Sequence, residues 1–198
     1  LDFAAGQAVP GREHFVLERP LGRTLGSEVW LARQPRTRDA RVFKFSLGGE
    51  RLAAIKREAT LMRVLRDTLG ERDDFVRVLD WNFESEPFFL ECEYGGQALP
   101  DWAIEHAALD WDRTRKLAFF LRIAAAVDAA HGVGVLHKDI KPTNVLVRAR
   151  SDDAWQPCLT DFGNSRLLQP ERLAELGITG LGMTVTTAHS GDSSGTPL

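Results

Sequence analysis

The sequence predicts an α+β fold, in which an antiparallel sheet of about five strands with one main helix precedes a largely helical second part. Three observations carry that prediction. Stretches at 15–17, 41–45, 76–78 and 88–92 are short and β-rich, with the period-two alternation of half-buried strands. Apolar residues recur at helical spacing through 50–68 and again through 112–131. Between the strand-rich and helical parts stands the turn signal Gly95-Gly96.

The 198 residues, 43% of them apolar, suffice to bury a core for one large or two small units. A formal net charge of −3 supplies no basic footprint for nucleic acid and no polybasic patch for a membrane, so neither partner is expected. Cys92 and Cys158 sit in strand-like surroundings rather than at metal-ligand spacing. Two cysteines suit a reducing cytosol, with a single disulfide left open. No apolar run approaches the roughly 18 residues of a membrane helix, and no signal-peptide pattern is present. A start at Leu1 and an end at Gly195-Thr196-Pro197-Leu198 read as a piece of something larger, cytoplasmic or the cytosolic part of a longer protein.

Residues 1–12, with Gly6, Pro10 and Gly11, are expected to form a linker. A strand through Phe15 and Leu17 follows and ends at Leu21-Gly22. From Gly22 to Val29, small residues would let backbone N–H groups approach a phosphate, although an ordinary hairpin turn explains the stretch about as well. In 41–45, alternation places Val42 and Lys44 on one face and Phe43 and Phe45 on the other, so a lysine shares its face with an apolar residue. Leu52, Ile55, Ala59, Met62 and Leu65 form the stripe of the first helix, and Glu58 falls beside it. Two strands, at 76–78 and 88–92, are joined around 84–87. The long helix over 112–131 is expected to bury Leu117, Phe120, Leu121, Ala124, Val127 and Ala130, and Gly132 and Gly134 stop it.

The chain then reaches His137-Lys138-Asp139-Ile140-Lys141-Pro142-Thr143-Asn144, followed by the core-strand signal Val145-Leu146-Val147. Such polar residues can meet a phosphate, a metal ion and a hydroxyl nucleophile together. Asp139 suits a proton acceptor, Lys141 a charge neutraliser for a transferred phosphoryl group, and Asn144 an oxygen ligand for Mg²⁺. His137, beside apolar residues, reads as a packing and hydrogen-bonding group rather than a base. A further carboxylate, Asp161, stands 17 positions beyond Asn144 at the end of another strand signal, in Asp161-Phe162-Gly163.

The first of these stretches resembles the H-R-D-L-x-x-x-N catalytic loop of eukaryotic-type (Hanks-type) Ser/Thr protein kinases, with Lys138 for Arg and Ile140 for Leu, and the second resembles their D-F-G. Lys44 resembles the V-A-I-K lysine. The glycine-rich loop G-x-G-x-x-G-x-V is matched poorly: Gly22 holds its place, Thr24 and Ser27 stand at the other two, and Gly26 comes one residue early. The resemblance implies a two-lobed kinase-like fold, with a five-stranded N-lobe at 13–93 and a partial C-lobe at 94–198, truncated before A-P-E.

It further implies ATP and Mg²⁺ as cofactors, a protein substrate with a Ser/Thr acceptor, and self-association for autophosphorylation. Lys44 would position the nucleotide by pairing with Glu58, with Glu50 as competitor, and Asn144 and Asp161 would hold Mg²⁺. Asp139 would orient the hydroxyl and Lys141 stabilise the charge. Gly22, Thr24 and Ser27 would cradle phosphate, Val29, Val42 and Leu146 would sandwich adenine, and backbone groups from Glu93 to Gly95 would bond its edge. Cys92 would guard the space behind. Gly195-Thr196-Pro197 resembles the segment before A-P-E, which puts Thr196 at the acceptor site. Thr184, Thr186, Thr187, Ser190, Ser193 and Ser194 belong either to an activation segment ordered by phosphorylation or to a flexible loop. Lys138 offers such a phosphate a point charge where Arg offers two parallel bonds. The Ala- and Arg-rich style suggests a bacterial source. Two rival readings are a nucleotide-binding pseudokinase scaffold and a small-molecule kinase of the aminoglycoside type; Lys141 and the Gly-Thr-Pro ending count against the latter.

Overall fold

A computed structural model describes residues 2–107, 111–150 and 154–180. The strand-rich part is a six-stranded antiparallel sheet in the order β1-β2-β3-β4-β6-β5. Its strands are β1 (Ala8–Val9), β2 (Arg12–Thr24), β3 (Ser27–Arg33), β4 (Ala40–Ser46), β5 (Val78–Asn82) and β6 (Phe88–Glu93). β1 lies inside the stretch expected as linker and pairs with β2, and β3 matches none of the four stretches read as strands. Helix α1 (Gly49–Leu69) connects β4 to β5. Val76 precedes β5 and makes a cross-connection instead, giving its N–H to the carbonyl of Leu159 at 2.9 Å.

Alternation in β4 does what its pattern requires. Phe43 and Phe45 enter an aromatic core with Phe15, Trp30 and Phe89 on one face of the sheet, where Phe43 and Phe89 meet edge to face at 5.6 Å. Val42 packs on the other face with Leu90, Cys92, Ile55 and Ala59 of α1. Lys44 shares that face.

The second part begins with β7 (Gln97–Ala98) and α2 (Leu99–Glu105), followed by α3 (Arg113–Gly132) and β8 (Val135–Leu136). A 3₁₀ turn at Pro142–Asn144 leads into the hairpin β9 (Val145–Ala149) and β10 (Trp155–Leu159). A second 3₁₀ turn at Phe162–Asn164, then β11 (Arg166–Leu167) and α4 (Arg172–Glu175), complete the described elements. The two parts share one core, in which Leu61, Val64 and Leu65 of α1 pack with Phe75, Ala130, Val135, Val145, Leu159 and Phe162. Cys92 and Cys158 lie in β6 and β10, buried and free.

Helix α3 spans the expected residues but buries a largely different stripe, which shares Ala130 with the expected one. Phe119, Ala126 and Ala130 are buried, whereas Leu117, Phe120 and Leu121 are 55%, 61% and 56% exposed and Ala124 is exposed too. Val127 is only partly buried. The helix is apolar on two neighbouring stripes, and periodicity cannot say which one the core takes. Contact with Trp102 and β10 selects the Phe119 side, where Phe119 and Trp102 stack at 6.1 Å.

Candidate active site

Lys44 reaches the site because β4 lies between β3 and β6, with Val29 and Leu90 as its cross-strand partners. From α1, Glu58 meets the lysine Nζ with both carboxylate oxygens, at 2.6 and 2.7 Å. Glu50 lies in the exposed first turn of the helix, and the pair therefore forms with Glu58. Asp161 Oδ1 stands 3.9 Å from the same nitrogen. Burial pulls the ammonium toward neutrality, but the Glu58 and Asp161 carboxylates outweigh it and hold the Lys44 pKa well above its usual value.

Strand β8 delivers the chain to His137, which is 2% exposed and packs its ring 4.5 Å from that of Phe162. With the ring proton on Nε2, His137 donates to the carbonyl of Thr160 at 2.9 Å while Nδ1 accepts the N–H of Asp139 at 3.3 Å. One buried ring thus ties Asp139 to the residue before Asp161. Lys138 takes a left-handed backbone, φ 64°. Lys141 Nζ and Asn144 Nδ2 both bond Asp139 Oδ2, at 2.7 and 3.1 Å. The hydrogen bond from Lys141, then its charge and the Asn144 bond, hold the Asp139 carboxyl below the usual carboxylate range against some desolvation.

Asp161 also has a left-handed backbone, φ 66°, a conformation that short polar side chains tolerate better than most. Its neighbours fix it. Phe162 is fully buried in the shared core, and the Gly163 carbonyl accepts a 2.7 Å bond from Arg57 Nη1 of α1.

These groups converge on a cleft of about 950 Å³ between the sheet and the second part. Of the residues expected there, Gly22, Thr24, Ser27, Val29, Val42, Lys44, Glu58, Glu93, Lys141, Asn144, Leu146 and Asp161 line it, and so does Cys92. Asp139 adjoins it through Lys141 and Asn144. Gly95 does not line the cavity, because it packs against strand β9. A Cβ there would come within 2.8 Å of both Leu146 and Val76, and one on Gly96, at φ +107°, within 2.1 Å of the Val147 carbonyl. Both glycines are dictated by that crossing. Glu93 already gives its N–H to Arg77 O at 2.9 Å, which removes that group from the donors available to a base edge. Burial pushes the Cys92 thiol far up and the Cys158 thiol up to about 12, so neither is poised as a nucleophile. Thr196 and the hydroxyl residues from Thr184 to Ser194 lie outside the described residues.

Gly22, Thr24 and Ser27 belong to a tight hairpin rather than an open loop. β2 and β3 pair up to Thr24 and Ser27, leaving only Leu25 and Gly26 as the turn, with Gly26 at φ +80°. The glycine that comes one residue early is the one the turn uses.

Six arginines escape sequence reasoning. Arg57 holds the Gly163 carbonyl, as above. Arg77 and Arg148 converge on the buried Glu93 carboxylate, at 3.0 and 3.5 Å. Arg19, Arg23 and Arg51 stand among the cleft-lining residues. Arginines have long, adaptable side chains, and no local pattern marks where their guanidinium groups end.

Comparison with known proteins places this geometry in context. The protein kinase domain family model matches residues 15–184. The chain is 34% identical over 172 residues to the serine/threonine-protein kinase PkaA of Streptomyces coelicolor, an alignment covering 80% of this chain and 31% of that protein. It is 38% identical over 81 residues to the serine/threonine-protein kinase PknK of Mycobacterium tuberculosis, covering 41% of this chain and 7% of that protein. Over 120 residues it is 34% identical to the CBL-interacting serine/threonine-protein kinase 16 of Arabidopsis thaliana, covering 60% and 23%. The chain therefore spans about a third or less of the length of these relatives.

Proposed function

From the premise that this chain belongs to the protein kinase domain family, we propose that it transfers the γ-phosphoryl group of ATP to serine or threonine hydroxyls of proteins. The observation that carries the reading is the convergence on one cleft of the Lys44–Glu58 pair, Asp161 at 3.9 Å from Lys44, and the Lys141–Asp139–Asn144 cluster. The named relatives are Ser/Thr kinases, which agrees with it.

In this reading the cleft between sheet and second part takes the nucleotide, with Val29, Val42 and Leu146 against adenine and the β2–β3 hairpin over the phosphates. Lys44, kept charged by Glu58, meets the phosphate oxygens. The acceptor hydroxyl bonds to Asp139. Lys141 and Asn144 occupy Oδ2, which leaves Oδ1 to receive the hydroxyl proton as the oxygen–phosphorus bond forms and ADP departs. A carboxyl held below its usual range is a weak base, so its larger contribution is orientation. Lys141 then balances charge on the transferred group.

The residues present also fit a divalent cation. Asn144 spends its amide nitrogen on Asp139, which leaves its oxygen as a hard donor, and the Asp161 carboxylate is 45% exposed to the cleft. Among the described residues no group of three or more His, Cys, Asp or Glu side chains forms a complete metal cage. That suits Mg²⁺, which takes one or two protein oxygens and completes its shell with phosphate and water. Bound there, it would neutralise charge on the phosphates.

The test is transfer from labelled ATP to a protein acceptor, comparing wild type with Asp139→Asn and Asp161→Ala. Both variants are expected to lose at least about a hundredfold in rate. Transfer surviving Asp139→Asn unchanged would refute the mechanism, and transfer to a small alcohol but to no protein would replace the substrate class. Among the described residues no helix is long and apolar enough to cross a membrane, and a cytoplasmic setting is part of the proposal.

A further inference from the structure

We propose that Arg57 is a positioning residue that latches α1 to the turn at 161–163 and so sets Asp161 relative to Lys44. The inference rests on the assignment of Lys44 and Asp161 above. It starts from a bond between residues 106 positions apart, in which Arg57 Nη1 donates to the Gly163 carbonyl at 2.7 Å.

Two features make this contact more than a surface arginine finding an oxygen. The helix is seated closely on the turn, since a Cβ on Gly163 would stand 3.3 Å from Ala54 Cβ and 3.4 Å from the Ala54 carbonyl. Ala54 and Arg57 are three apart and share one face of α1, so a small residue lets the helix approach and the next residue on that face ties it down. The accepting glycine is itself buried, where a donor's loss leaves a carbonyl without its partner.

The latch also closes a ring. Lys44 bonds Glu58, Glu58 follows Arg57 in the chain, Arg57 bonds Gly163, and two residues back Asp161 lies 3.9 Å from Lys44. Adjacent residues of α1 thus hold the two sides of the site: Glu58 fixes the lysine and Arg57 fixes the turn bearing the carboxylate. Without Arg57, the helix still holds Lys44, but the distance from lysine to carboxylate is set on one side only. Apolar walls of the cleft such as Val29 and Val42 are untouched.

The variants are Arg57→Met, which keeps the aliphatic stem, and Arg57→Lys, which keeps a donor. The first readout is amide hydrogen exchange across 161–165 in the 198-residue chain. Arg57→Met is expected to speed exchange there on the order of tenfold while lowering the melting temperature by only a few degrees and leaving adenosine binding at its wild-type value, and Arg57→Lys is expected to restore most of the protection. The second is Mg²⁺-dependent transfer, in which Arg57→Met should raise the Mg²⁺ needed for half-maximal rate and lower kcat on the order of tenfold. Unchanged exchange in Arg57→Met would overturn the latch. So would loss of protection, melting temperature and adenosine binding together, since that marks a residue acting only through global stability. If Asp161→Ala transfers phosphate as fast as wild type, the kinase assignment fails instead, and hydrogen exchange still decides on the latch.

Discussion

A lysine ammonium and a glutamate carboxylate at 2.6 Å, with side chains 13% and 4% exposed, form a largely desolvated pair, and such pairs are asymmetric in their energetics. Removing one partner strands the other, at a cost of about 3–5 kcal/mol, whereas replacing both with apolar groups of similar volume is close to neutral. Lys44→Met is therefore expected to destabilise the chain by about that amount, and Lys44→Met with Glu58→Leu by much less, as measured by urea unfolding. The folded pKa of Lys44 is raised, so its contribution is complete below the ordinary lysine value of about 10.4 and is lost only as pH rises beyond that toward the folded value. The gap between wild type and the double variant Lys44→Met with Glu58→Leu should accordingly stay flat from about pH 6 to 9. Asp139 behaves in the opposite sense. Its folded pKa is lowered chiefly by Lys141, so it stays ionised until pH falls below the usual carboxylate range. Lys141→Met removes the main cause, and the acid limb of the pH–rate profile should move to higher pH as well as losing amplitude. A limb that does not move would mean that the acid limb reports some other group.

Local patterns reported the kind of each element well and its inward side less well. The alternation in 41–45 placed Lys44 on the α1 face correctly, because a strand has only two faces and Phe43 and Phe45 claim one of them. Helix α3 has more choices. Its span was legible, and its N-terminus is closed by Asp112 accepting the N–H of Arg115 at 2.8 Å, but the inward stripe depended on aromatic partners far off in sequence. The hairpin between β2 and β3 was readable as a turn but not as a two-residue one, since the register of Thr24 with Ser27 is set by pairing along both strands. The α3 assignment yields a paired prediction. Phe119→Ala empties a site shared with Trp102 and Trp111, at ring distances of 6.1 and 5.4 Å, and should cost about 3–5 kcal/mol. Phe120→Ala, one residue on and 61% exposed, should change stability by no more than about 0.5 kcal/mol. Thermal and urea unfolding of the two variants decide between the stripes, and a larger loss for Phe120→Ala would show that the sequence-level choice was the right one.

Across the whole molecule, motif order brought Lys44, Asp139, Asn144 and Asp161 onto one list, but nothing in their spacing measures how the two parts face each other. That relation is fixed by contacts with no sequence signature. Leu159 exchanges backbone bonds with Val76 and Asp74, at 2.9 and 2.8 Å, so the strand leading to Asp161 is stitched to the segment between α1 and β5. Beside it, Arg148 of β9 reaches across to the Asp73 carbonyl at 2.6 Å and to Glu93 at 3.5 Å. Arg148 therefore clasps three pieces of chain beside the cleft without lining it. Arg148→Met should break the clasp while Arg77, at 3.0 Å, still satisfies the buried Glu93 carboxylate, and so the variant escapes the large penalty of a stranded charge. The expected loss of stability is about 1–3 kcal/mol, the value of a charged hydrogen bond. Because the clasp bears on Glu93, which lines the cleft, and makes no contact with Asp139, KM for ATP is expected to rise more than kcat falls. Glu93→Leu provides the comparison: it frees both arginines and removes the shared acceptor, so it should raise KM further and add a clear loss of stability. Equal effects of Arg148→Met on kcat and KM would mean that the clasp acts on the reacting groups themselves.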